Sequence, residues 1–257
     1  MLNARAALLV VATFVAAVAG RIPLLAFAIA ISIAAGGELF RLERGRGERP
    51  VVLAGLGGIV GMLVAAHVRG EHVVTALPGI VAAVIGVSFV AVLARKHRGN
   101  ATRAIAYTTF PVLVVGLMGS YVIALRGAPD GFRLVIVLLA MAIAAEVVPR
   151  LRDGRGEHAH RSSRAVRAAL SGAAALVVAI VAALAFSPPF TWTRAIVLAL
   201  VVTAIQAAAD ASADMIDHVL ARTEPGVRPR RAPLYRRLDG VLFSAPFFFY
   251  AFRVLAR

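Results

Sequence analysis

Apolar and polar residues are sorted along this chain into long blocks. Apolar stretches recur at about 6–20, 22–40, 50–68, 72–94, 104–125, 131–148, 168–187, 194–213 and 239–256. Most approach the roughly 20 residues a helix needs to cross the hydrocarbon core of a bilayer. The pattern predicts an all-α fold, a polytopic transmembrane helix bundle of about nine spans. The polar segments between the blocks are short, with no room for a soluble domain, so residues 1–257 read as a single membrane domain. Only Arg21 and Pro23 divide the first two blocks, which predicts a tight hairpin or one broken element, since one continuous helix would be too long to span simply.

The basic residues test this count. With the N-terminus placed in the cytoplasm, 21 of the 28 Lys and Arg fall on inner segments and 7 on outer ones, alternating loop by loop. That is a positive-inside distribution. It predicts cytoplasmic loops at about 41–49, 95–103, 149–167 and 214–238, with the C-terminus outside, in a multi-pass protein of a bacterial inner (cell) membrane. The first 20 residues share features with a signal peptide, but they are expected to stay as the first span. Trp192 reads as an interfacial anchor.

Composition narrows the chemistry. The chain is 60% hydrophobic, which excludes an ordinary soluble protein. Its net charge of +15 sits in loops beside the spans, where it suits topology and anionic lipid headgroups and not nucleic acid. There is no cysteine, so disulfides, thiolate metal sites and cysteine nucleophiles are excluded. Lys96 is the only lysine. The histidines are scattered without a second ligand at metal spacing, which argues against zinc. The glycines of Gly55-Leu-Gly-Gly58 suit close helix contact. Small residues along Ala168-Ala-Leu-Ser-Gly172 suggest a possible homodimer face by the same rule.

Carboxylates near the inner boundary are the remaining candidates. Glu38 and Glu146 lie near inner ends of spans. Asp210, Asp214 and Asp217 follow i, i+4, i+7 and share one helix face. Three carboxylates so placed repel one another unless a cation, protons or arginines compensate. One reading is a hard-cation site for Mg²⁺; the other is a solvated helix end. The loop beyond carries Arg222, Arg228, Arg230, Arg231, Arg236 and Arg237, and then Asp239 opens the last apolar run.

The segment Arg237-Leu-Asp239-Gly-Val-Leu-Phe-Ser-Ala-Pro246 resembles the C-terminal signature of the CDP-diacylglycerol synthases, or phosphatidate cytidylyltransferases. Laid on that signature without gaps, Pro229, Arg237 and Asp239 keep their residues and Arg222 replaces a lysine. Arg236 stands where the family has the first aspartate of Asp-Arg-x-Asp. Arg231-Ala-Pro233 replaces His-Gly-Gly, Thr223 replaces an aspartate, and Ile216-Asp217 replaces Lys-Arg. Gly36-Gly-Glu38-Leu sits where such enzymes often carry a glutamate. Ser162 and Gly172 fit an eroded form of another family segment, whose glutamate position is Ala168.

The resemblance implies an integral membrane protein that acts on phosphatidate, with CTP as co-substrate if active and Mg²⁺ as cofactor. It assigns function to Asp239 and Arg237, and phosphate contacts to Arg222, Arg231 and Arg236. Asp210, Asp214, Asp217 and Asp239 are its metal candidates. The departures imply a divergent or catalytically impaired member that keeps an anionic-phospholipid site. An active cytidylyltransferase with relocated metal ligands is the alternative, and an unrelated transporter or assembly factor is the second.

Overall fold

The computed structural model describes residues 4–45, 49–94, 101–152, 164–187, 189–222 and 234–256. All regular structure among them is helical. In order the helices are α1 (Ala4–Ala19), α2 (Arg21–Gly45), α3 (Val52–Arg69), α4 (Leu77–Leu93), α5 (Ala101–Pro111), α6 (Met118–Gly127), α7 (Gly131–Arg152), α8 (Arg164–Ala185), α9 (Trp192–Arg222) and α10 (Tyr235–Leu255). A short 3₁₀ turn, Gly70–Thr75, leads into α4, and a π-helical segment, Val112–Leu117, joins α5 to α6.

Seven helical segments among the described residues are long and apolar enough to cross a membrane, with α5, the π segment and α6 acting as one. Val10–Ala19 and α4 are apolar but shorter. Large apolar side chains such as Leu53, Val68, Leu184 and Val254 are exposed, as a lipid-facing surface requires. This is a membrane protein. Several helices run past the predicted spans. Helix α9 continues through the charged residues to Arg222, α7 reaches Arg152, and α10 starts at Tyr235. Backbone hydrogen bonding is local and carries a helix beyond the apolar block that defines its span.

The break between α1 and α2 falls at Gly20, whose φ of +129° other residues rarely adopt. The turn therefore rests on Gly20, while Arg21 and Pro23 begin the next helix.

The chain packs as two compact units. One comprises Val15–Pro129 and Arg228–Leu238. Its centre is the α5–π–α6 span, most of which is buried. Pro111 has no N–H for the carbonyl one turn back, and the widened turn begins just after it. Helix α3 packs on this span and on α2. A Cβ on Gly55 would collide with the Phe40 ring, and one on Gly58 with Val84, so these glycines serve helix contact.

The other unit comprises Met1–Phe14, Asp130–Val227 and Asp239–Arg257. Helices α7, α8 and α9 pack on one another, and α7 buries Leu134, Val135, Leu138, Leu139 and Met141. Pro149 lies inside α7 and offers no N–H to the carbonyl of Ala145. The Ser171 hydroxyl on α8 donates to that oxygen at 2.7 Å and replaces the missing bond. Two residues of the small-residue face are engaged within the chain: Ser171 binds α7, and a Cβ on Gly172 would lie 3.3 Å from Thr203 of α9.

Candidate functional site

In the unit built on α3, the sequence places a carboxylate on a tightly held helix. Leu39 and Phe40 are buried, and a Cβ on Gly36 would come within 2.7 Å of Ile59, so α2 lies hard against α3. Glu38, between them and half-buried, projects its carboxylate to the start of α10. Its Oε2 accepts the N–H of Leu234 at 2.9 Å and that of Tyr235 at 3.3 Å. The first N–H groups of a helix lack partners within it, and an acidic oxygen is a favourable one. The start of α3 is held in a similar way. The N–H of Val51 donates to the Thr108 hydroxyl at 2.8 Å, and that hydroxyl donates to the carbonyl of Ala104.

The first turn of α10 carries Arg236 and Arg237 and no acidic residue. Both arginines are partly exposed. Cations at a helix N-terminus oppose its dipole, by about 0.3–1 kcal/mol each at an exposed site. A bound anion reverses that sign, because the guanidinium groups then act on it together.

In the other unit, Asp239 is buried and its Oδ1 accepts the N–H of Gly240 at 2.7 Å. Residues two apart on a helix do not face each other, so Arg237 and Asp239 leave α10 in different directions. Gly240 lets α10 meet α9, for a Cβ there would lie 2.6 Å from Nε2 of Gln206. That amide is buried and donates to the carbonyl of Ala142 on α7 at 3.3 Å. One turn beyond Gly240, the Ser244 hydroxyl is fully buried without a hydrogen-bond partner.

The candidate residues divide accordingly. Asp239, Arg237 and Arg236 share α10. Asp210, Asp214, Asp217 and Arg222 lie on α9, with side chains outside the described residues, and Arg231 lies outside them altogether. Among the described residues no group of three His, Cys, Asp or Glu could hold a metal ion. Asp239 alone is too few ligands for a divalent cation. The role of Glu38 as a cap for a helix nearly two hundred residues away has no sequence signal. Gln206 had one, as a lone amide inside an apolar span, where polar groups are costly.

A family model described as the cytidylyltransferase family matches residues 3–149. The match includes Gly36-Gly-Glu38 and ends at Pro149, so the Arg237–Pro246 segment lies beyond it. A search of curated proteins finds no match.

Proposed function

The chain belongs to the cytidylyltransferase family, and from that premise we propose that it is a divergent, catalytically impaired relative of the phosphatidate cytidylyltransferases that keeps an anionic-phospholipid headgroup site. One observation carries this reading: the first turn of α10 holds two arginines and no acid. Arg236 stands where the resembled signature has an aspartate. A guanidinium cannot ligate Mg²⁺, but it grips phosphate oxygens in pairs. The change favours the lipid phosphate over the metal. Arg222 and Arg231 join Arg236 as phosphate contacts in this reading, with Arg237 and Asp239 as the residues kept from the signature. The site faces the cytoplasm.

The second reading is an active enzyme. It is favoured by the unbroken helix through Asp210, Asp214 and Asp217, whose i, i+4, i+7 spacing α9 preserves at backbone level. Those carboxylates, with Asp239, would hold Mg²⁺, which would supply charge neutralisation on the phosphates. A phosphatidate oxygen would attack the α-phosphorus of CTP and pyrophosphate would leave. Membership of the family weighs against the remaining alternative, an unrelated transporter or assembly factor.

Purified protein is given labelled CTP, phosphatidate and Mg²⁺, and its binding of phosphatidate is compared with that of diacylglycerol. Preferential phosphatidate binding without labelled lipid is the expected result. Labelled product that disappears in Asp239→Asn establishes the active enzyme instead. Equal binding of phosphatidate and diacylglycerol removes the headgroup site.

A further inference from the structure

Helix α10 starts without an acid of its own, and Glu38 supplies one from 196 residues away. The supply is rigid. Glu38 sits between Gly36, which is pressed against Ile59, and Phe40, which is buried against Gly55, so α2 cannot turn without a collision. Its carboxylate is engaged by the N–H groups of Leu234 and Tyr235.

We infer that Glu38 is a positioning residue for the headgroup site: by holding the N–H groups of Leu234 and Tyr235 it fixes where α10 begins, and so the directions in which Arg236 and Arg237 leave it. Each residue of an α-helix turns the chain by about 100°. A start displaced by one residue would turn both guanidinium groups by about that angle from the directions they now take. Glu38 itself touches neither lipid nor nucleotide. This rests on the headgroup reading above and adds to it a residue outside the Arg-rich segment.

Wild-type protein, Glu38→Ala and Glu38→Gln are compared at full length in detergent. Amide hydrogen exchange is read at Leu234 to Leu238, and affinity is read with short-chain phosphatidate. Glu38→Ala is expected to speed exchange there on the order of tenfold, the usual scale of a lost cap, and to weaken phosphatidate by a similar factor. Exchange in the buried parts of α3 and α7 stays unchanged. The Gln carbonyl accepts the same N–H bonds, so Glu38→Gln recovers most of both losses.

Unchanged exchange in Glu38→Ala overturns the inference, and so does faster exchange with undiminished affinity. A Gln variant with protected amides and an affinity as poor as the Ala variant would make Glu38 a direct ligand contact, which also overturns it. Wild-type protein that binds phosphatidate and diacylglycerol alike overturns the headgroup reading and this inference with it. That outcome is distinguishable because it needs no variant.

Discussion

Single side chains in this protein complete hydrogen bonds that the helices leave open. Pro149 strands the carbonyl of Ala145 and Ser171 rescues it. Ser171→Ala should therefore cost about 1–3 kcal/mol, the usual penalty for a buried unsatisfied acceptor, measured by thermal unfolding in detergent. Adding Pro149→Ala restores an N–H to the helix and should recover most of the loss. Equal cost in both backgrounds would refute the pairing. Gly240 gives a second test. Its Cβ position is claimed by the Gln206 amide, so Gly240→Ala should destabilise by about 1–3 kcal/mol despite the better helix propensity of alanine. Gln206→Ala in the same chain should relieve part of that cost, at the price of its bond to Ala142.

Turns and helix ends set the behaviour of whole elements. Gly20→Val should be strained by about 1–3 kcal/mol, because φ at +129° suits glycine. Lower yield and earlier unfolding would report it, whereas an unchanged unfolding temperature would mean that the chain can break elsewhere. Thr108→Val should remove the acceptor for the Val51 N–H and cost about 1 kcal/mol.

This is also the scale at which the sequence was readable. Seven of the segments were legible as apolar blocks of bilayer length, whereas Val10–Ala19 and α4 are shorter than the blocks read there. Their ends were not, since α9 and α7 carry helical bonding into charged residues where hydropathy has no signal. The break between the first two blocks was legible, but its pivot was misplaced, because Arg21 and Pro23 stand out in a sequence and a glycine dihedral does not. The residues of the candidate site were legible unequally. Arg236, Arg237 and Asp239 stood out as charges beside an apolar run. Glu38 could be flagged as an acid in a span, but a bond between residues 38 and 234 leaves no periodicity to read. The resemblance to the family was strongest at about 205–250, whereas the match covers residues 3–149, where only Gly36-Gly-Glu38 and its neighbours carried it. Weak preferences spread over a long apolar region escape a search for polar motifs.

For the molecule as a whole, the arginine distribution proposes nine crossings with the N-terminus in the cytoplasm and the C-terminus outside. Because the chain has no cysteine, single cysteines report topology without background. Cysteines at Arg41 and Trp192, both exposed, should label from opposite sides, Arg41 from the cytoplasm. Labelling of both from one side would overturn the crossing scheme.

The bond from Glu38 to Leu234 also sets an order of events during synthesis. At about 5–20 residues per second, some ten to forty seconds separate the emergence of the carboxylate from that of its partner. Throughout that interval a nascent chain holds the α2 half of the contact and cannot complete it. A chain released early, by truncation or a stalled ribosome, would enter the membrane with most of its spans and an inert Glu38. In the headgroup reading, completion of the last span would be the event that sets the arginines of α10 in place.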